Sequence, residues 1–167
     1  RESRALAVAC FEQALRLDPH LFSAKYNLAA ILEKEGRSRE ADELLLSALR
    51  DGLDPNLVQE IAVAAWERSD VPRALRLMDG VVAQRPGDAR LRITRGRIWI
   101  QRRDCAKAYL DFDAARRAAP RLALVHGLAG SALMCLGRPA EARRAFEQSL
   151  ALDPSQTRLR ELLARGR

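Results

Sequence analysis

The 167-residue sequence is poor in the residues that build many compact sites, with three cysteines, two histidines and 5% aromatic residues. Cys10, Cys105 and Cys135 are too few and too widely spaced for a disulfide scaffold, so a reducing compartment is expected. There is no Cys-x-x-Cys pair and no histidine cluster. We therefore expect no metal site and no cofactor.

Long apolar segments are also missing. The longest uncharged stretch, Leu122 to Gly137, is shorter than the roughly 20 apolar residues that a membrane-spanning helix needs, so no membrane partner is expected. The sequence begins at Arg1 with neither an initiating Met nor a secretory leader, which indicates a fragment of a longer protein. A cytoplasmic location is expected, and a periplasmic one is the alternative if a signal has been removed.

Residue patterns typical of catalysis are absent as well. His126 stands alone on a predicted helix and is expected to be a packed histidine. Cys135 has no neighbouring base in the sequence, so we expect a buried or groove-lining thiol. The segment HGLAGS, ending at Ser131, lies inside a helical pattern and not at a strand-to-helix turn. No catalytic residue is nominated, and no enzymatic activity is predicted for this chain.

The sequence does contain a repeat of 33 or 34 residues. A small residue four positions before a bulky one recurs at Ala7, Ala41, Ala74, Ala108 and Ala142. A second small residue recurs in step at Ala29, Ala62, Gly96 and Gly130. A fixed period of this length indicates stacked repeats. Because small residues let two helices approach closely, each unit is predicted to be an antiparallel helix pair.

The repeat resembles that of the tetratricopeptide repeat (TPR) family. Residues 123–156 match the family pattern with Gly130, Leu133, Gly137, Ala142, Phe146 and Pro154. Residues 22–54 match it with Asn27, Leu28, Ala29, Leu32, Gly36, Ala41 and Ala48. The resemblance implies an all-α fold, a right-handed superhelical solenoid of antiparallel helix pairs. The predicted single array has a lone second helix at 1–21, full repeats at 22–54, 55–88, 89–122 and 123–156, and a closing helix at 157–167.

Three residues depart from the family pattern. Arg95 replaces a usual Leu, His126 replaces a large aromatic, and Ser69 replaces the turn glycine. The middle repeats are therefore expected to pack less regularly, or Arg95 to extend beyond the core. The lone helix at 1–21 is expected to leave an apolar face unpaired, which indicates truncation or self-association.

The resemblance also implies that the first helices of the repeats line a concave, peptide-binding groove. The repeat period nominates its lining residues: Tyr26, Asn27, Asn56, Gln59, Arg90, Thr94, Arg97, Leu124, Leu128, Ser131 and Met134, with Ala30, Glu33 and Lys34 among the further positions. Along the chain this set runs from amide-rich through basic to apolar. The predicted function is a protein-interaction scaffold for an acidic, partly apolar peptide.

One ligand known for the family is a C-terminal carboxylate, which chaperone-binding members hold with Lys, Asn and Arg side chains. The corresponding positions here are Tyr26, Ala30, Glu60, Arg90 and Thr94. Only Arg90 has suitable chemistry, and Glu60 would repel a carboxylate. This clamp is therefore not expected.

Charge divides the sequence. Residues 1–88 carry 12 Lys/Arg and 15 Asp/Glu, whereas residues 89–167 carry 17 and 7, which favours acidic partners for the second half. The densest basic run spreads its arginines around one predicted helix and contains a single aromatic, Trp99, which is expected to be core. Nucleic-acid binding is therefore disfavoured. A substrate-recruitment or regulatory arm of a larger bacterial enzyme is the alternative function.

Overall fold

The computed structural model describes residues 2–165, which form ten α-helices and contain no β-strand. The chain divides into two compact units, Arg1–Gln84 and Arg85–Arg167. The first unit contains α1 (Glu2–Leu17), α2 (Phe22–Lys34), α3 (Ser38–Arg50), α4 (Pro55–Glu67) and α5 (Val71–Gln84). The second contains α6 (Ala89–Gln101), α7 (Cys105–Ala118), α8 (Ala123–Cys135), α9 (Pro139–Leu152) and α10 (Thr157–Arg165). The predicted all-α helical repeat is confirmed.

In the first unit, α2 packs against α3 and α4 against α5, while α1 packs on α2. No residue of α1 within the described range is buried, and Leu6 and Leu17 are exposed on it. Ala7 of α1 is half-buried, in contrast to the fully buried Ala41 and Ala74 at the same repeat position. Self-association through α1 stays a prediction.

In the second unit, α6 packs against α7 and α8 against α9, and further contacts join α7 to α8 and α9 to α10. Ile93, Ala115 and Val125 form one buried cluster, against which Leu128 packs. Across residues 2–165, no helix combines the length and the apolar character needed to cross a membrane.

The turn that follows each first helix has the same geometry in all four pairs. Gly36, Ser69, Arg103 and Gly137 adopt positive φ angles of 78°, 66°, 62° and 70°. In each turn the next amide donates to the carbonyl five residues before it, as from Arg37 to Leu32 at 2.9 Å. The turns at Ser69 and Arg103 are therefore as regular as those with glycine, although a left-handed backbone costs a non-glycine residue about 1–2 kcal/mol.

The sequence suggested that Arg95 could extend beyond the core. In the structure it does not. Its Nε donates to Oδ2 of Asp111 at 2.8 Å, and its Nη2 donates to Oδ1 at 2.7 Å. Arg92 adds a third hydrogen bond to the same buried carboxylate at 3.3 Å. An ion pair between α6 and α7 thus takes the place of an apolar contact.

His126 is buried, as expected for a packed histidine, with Nε2 2.8 Å from the carbonyl oxygen of Pro120.

The structure contains one disulfide, which the wide spacing of the cysteines did not predict. Cys105 and Cys135 form a disulfide, with their Cα atoms 6.0 Å apart, and Cys10 is free and exposed. Sequence spacing hid this pairing because α7 and α8 pack together, which places the first residue of α7 beside the last residue of α8.

Candidate functional site

The first unit contains a cavity of about 250 Å³ beside α2. Its apolar wall comes from α2, α3 and α4 and consists of Tyr26, Ala29, Ala30, Ala41, Leu45 and Ile61. Three charged side chains, Glu33, Lys34 and Arg73, complete the lining. The cavity therefore combines an apolar interior with a charged edge.

Most of this charge is already paired inside the protein. Nη1 and Nη2 of Arg73 donate to the two carboxylate oxygens of Glu33 at 2.7 and 2.6 Å. Nε of Arg73 donates to Asp42 at 2.9 Å. Asp42 also accepts a hydrogen bond from Arg76 at 3.1 Å. The hydrogen bonds from Arg73 hold the pKa of Glu33 below its usual value despite partial burial. Lys34 is exposed, so the edge offers a cation to a ligand.

The predicted amide-rich part of the groove lies in this unit. Tyr26 is half-buried and lines the cavity. Asn27 is exposed, and its Nδ2 donates to the carbonyl of Ser23 at 2.8 Å. Asn56 donates through its backbone N and its Nδ2 to Asp54, the N-cap of α4. One amide donor of each asparagine is thus engaged locally, and Gln59 is half-buried on α4.

The predicted basic part lies on α6 in the second unit. Arg90 is 83% exposed, with its Nη2 3.5 Å from a carboxylate oxygen of Asp88. Arg97 is exposed as well. Thr94 lies between them and donates its hydroxyl to the carbonyl of Arg90 at 3.1 Å, which leaves the hydroxyl oxygen able to accept.

The predicted apolar part lies on α8. Leu124 and Met134 are 47% and 49% exposed, whereas Leu128 is half-buried against the cluster that contains Val125. Ser131 is exposed and donates its hydroxyl to the carbonyl of Gly127 at 3.0 Å. Met134 also lines a second cavity, of about 470 Å³, together with residues of α9 and α10: Pro139, Ala140, Arg143, Phe146, Leu162 and Leu163.

The two cavities occupy the same position in the repeat pattern. Met134 and Glu33 are each the twelfth residue of their helices, α8 and α2, and line the two cavities. Leu163 and Ile61 are each the seventh residue of α10 and α4 and line the opposite walls. Each cavity therefore lies where one helix pair meets the next helix along the chain.

Sequence reasoning nominated Ala30, Glu33 and Lys34 for this surface but missed Leu45 and Ile61. Leu45 and Ile61 follow the apolar period of their helices and could not be told from ordinary core residues. Arg73 was also missed. It reaches the cavity from α5, and no short-range sequence signal marks its pairing with Glu33 across 40 residues.

A polar cluster elsewhere in the first unit has a structural role. Lys25 donates to the hydroxyl of Ser47 at 2.7 Å and also to the carboxylate of Asp51. Nδ1 of His20 lies 2.8 Å from the same carboxylate. Hydrogen bonds from Lys25 first, and then from His20, lower the pKa of Asp51. The cluster therefore links α2 to the end of α3.

Comparison with known families identifies the repeat. Residues 123–156 match one family model described as a tetratricopeptide repeat, and residues 1–56 and 60–123 match a second model with the same description. No curated protein sequence is similar enough to count as a relative.

Several solved structures share the fold at low sequence identity. YrrB, a TPR protein with an unusual peptide-binding site, is 18% identical with a TM-score of 0.62 over 96% of this chain and 84% of its own. MamA from Desulfovibrio magneticus is 22% identical with a TM-score of 0.63, covering 83% and 81%. The first TPR of Spaghetti, bound to the HSP90 peptide SRMEEVD, is 17% identical with a TM-score of 0.62, covering 66% and 88%.

Proposed function

Because the chain belongs to the tetratricopeptide repeat family, we propose that it is a protein-interaction scaffold that binds an acidic, partly apolar peptide along the first helices of its repeats. The observation that carries this proposal is the cavity beside Tyr26. It lies on the helix face that the repeat period nominates, and it brings apolar side chains of three helices to one opening.

The size of this cavity suits a side chain of a peptide. At about 250 Å³ it lies below the range of about 300–1,000 Å³ that is typical of small-molecule pockets. The small side chains of Ala29 and Ala30 leave space along one wall of the cavity. Leu45 and Ile61 supply apolar contact area. An apolar side chain that enters here would leave water without losing a hydrogen bond.

The charges that remain available favour an acidic ligand. Arg73 neutralises the carboxylate of Glu33, whereas Lys34 is exposed at the edge of the cavity. In the second unit, Arg90 and Arg97 are exposed on α6. Forked guanidinium groups match carboxylates well, and exposed cations raise the association rate with acidic segments.

Two of the structural neighbours add support of a general kind. YrrB is described by its peptide-binding site, and the Spaghetti domain holds a peptide that contains two consecutive glutamates. Their identity to this chain is below 20%, so they support the use of this fold for peptide binding and not a particular ligand.

The proposal can be tested by selecting phage-displayed random dodecapeptides on the intact chain and measuring the Kd of an enriched peptide by fluorescence anisotropy. Ala30→Phe fills the cavity from an exposed position and is expected to weaken binding at least tenfold. Ala83→Phe, an equal change at an exposed position of α5 outside the cavity, is the matched control and should leave Kd unchanged. Equal binding by wild type and Ala30→Phe, or no enriched peptide, contradicts the proposal.

The acidic character of the ligand has its own test with the same enriched peptide. Arg97→Ala should lower the association rate, whereas Arg144→Ala, an exposed arginine on α9, should not. The effect should disappear in about 0.5 M salt because exposed charges are screened there. A fluorescein-labelled oligonucleotide that binds more tightly than any enriched peptide would favour a nucleic-acid partner instead.

A further inference from the structure

The disulfide of the second unit joins two different helix pairs. Cys105 is the first residue of α7, Cys135 is the last residue of α8, and 30 positions separate them in the sequence. Their Cα separation of 6.0 Å lies within the range of about 4.4–6.8 Å that disulfides adopt. The two helix ends are therefore close enough for a disulfide.

The two sulfurs differ in access and in surroundings. Cys105 is 7% exposed, whereas Cys135 is exposed, so Cys135 is the more accessible of the two to a dissolved thiol. Cys105 is the first residue of α7, where the helix dipole favours a thiolate, and the N-cap carboxylate of Asp104 accepts the N–H of Lys107 in the same turn. Cys135 lies at a helix C-terminus, where the dipole has the opposite sign.

We propose that Cys105 and Cys135 form a reversible thiol–disulfide switch that reacts with low-molecular-weight thiols and disulfides such as glutathione. In reduction, a glutathione thiolate attacks Sγ of Cys135, the bond between the two protein sulfurs breaks, and Cys105 leaves as a thiolate. A second glutathione thiolate attacks the mixed disulfide, which releases glutathione disulfide and the Cys135 thiolate. Two electrons enter the protein pair, and two glutathione molecules are oxidised to one disulfide.

The direction of this attack follows from the two environments. Thiol–disulfide exchange is faster when the attacked sulfur is accessible and when the leaving thiolate is stabilised. Cys135 meets the first condition and Cys105 the second. Oxidation follows the same steps in reverse. The Cys105 thiolate attacks Sγ of Cys135 in its mixed disulfide with glutathione, which re-forms the protein disulfide and releases glutathione.

The switch changes the stability of the second unit. A bridge across 30 residues restricts the unfolded chain, and it also fixes α7 against the end of α8. The oxidised form should therefore melt about 5–10 °C above the reduced form, the shift expected for one native disulfide in a chain of this size. This inference is independent of the proposed function because neither state needs a ligand to be measured.

A first experiment counts thiols and measures Tm in a Cys10→Ser background, which removes the unpaired cysteine. After equilibration with glutathione disulfide, we expect no reactive thiol and the higher Tm, and after excess reduced glutathione, two thiols and the lower Tm. Cys10→Ser/Cys105→Ser/Cys135→Ser should show one Tm in both buffers. Two thiols after oxidation, or equal melting temperatures of the two forms, would overturn the proposal.

A second experiment tests the asymmetry of the pair in single-cysteine variants. With Cys10→Ser/Cys105→Ser, glutathione disulfide should form a mixed disulfide at Cys135, detected by a mass gain in intact-protein mass spectrometry. With Cys10→Ser/Cys135→Ser, the buried Cys105 should react at least tenfold more slowly. Faster modification of Cys105 than of Cys135 would contradict the assigned direction of attack.

Discussion

Phe112 occupies the space that a side chain at Gly96 would need: a Cβ built on Gly96 would lie 2.5 Å from Cε1 of Phe112. Phe146 stands in the same relationship to Gly130 in the next helix pair. In both pairs an aromatic ring of the second helix packs directly on the backbone of the first. The recurring small residue is therefore a packing requirement and not a flexible point in the helix.

Gly96→Ala is expected to destabilise the protein although alanine is the better helix former. Alanine should gain about 1 kcal/mol in helix propensity, but the contact with Phe112 should cost about 1–3 kcal/mol through overpacking. The loss in the free energy of unfolding should shrink when Phe112→Leu makes room. Urea denaturation of the single and double variants measures this coupling. Gly87→Ala, where a Cβ meets no atom within 4 Å, is the control, and stabilisation by Gly96→Ala alone would contradict the packing argument.

Phe146→Ala should lower the free energy of unfolding by about 3–5 kcal/mol because it leaves a cavity between α8 and α9. Phe146 is 4% exposed and packs with Leu133 and Ala142. Phe22→Ala removes the same group from a side chain that is 41% exposed and should cost much less. Urea unfolding of both variants makes the comparison, and a loss below about 1 kcal/mol for Phe146→Ala would show that the register is wrong.

Local spacing was sufficient to predict the helix pairs but not every side chain within them. The small residues at Gly96 and Ala142 follow the repeat period and mark where the helices approach. Ser69 and Arg103 are not glycines, so the sequence did not predict a left-handed turn at either position. Each adopts this turn because the two helices that it joins fix the path of the chain. In these turns tertiary packing overrides the preference of the single residue.

The remaining features depend on contacts between distant residues. Arg73 reaches Glu33 across 40 residues, and Cys105 meets Cys135 through the packing of α7 on α8. Neither pairing has a local pattern that a single sequence could display. For the groove, the period identified the helix face but not the cavity, since the depth beside Tyr26 depends on the side chains of α3 and α4.

Arg95→Leu should destabilise the protein although it restores the residue that the family usually has. The side chain of Asp111 is 3% exposed, and removing Arg95 leaves this carboxylate with Arg92 as its remaining hydrogen-bonding cation among residues 2–165. Breaking a buried ion pair from one side costs about 3–5 kcal/mol, and the contact from Arg92 should reduce this to about 2–3 kcal/mol. Arg37→Leu breaks an exposed pair with Glu40 and should cost much less. Thermal and urea unfolding test the difference, and an Arg95→Leu variant as stable as wild type would contradict it.

Acidification should remove the stabilisation that Glu33 provides. The hydrogen bonds from Arg73 hold the pKa of Glu33 in the folded protein below its ordinary value of 4.5. A lowered folded pKa contributes stability that is fully present above the unfolded pKa and is lost as pH falls through the folded pKa. Wild type should therefore be more stable than Glu33→Gln at pH 7, and the difference should shrink steadily below about pH 4.5.

Urea unfolding of both proteins between pH 7 and pH 3 measures this difference directly. Glu43→Gln provides the matched control because Glu43 is 71% exposed and lies 3.8 Å from Arg39, so its replacement should change stability at pH 7 little. If wild type and Glu33→Gln lose stability in parallel as the pH falls, Glu33 is not the group that responds.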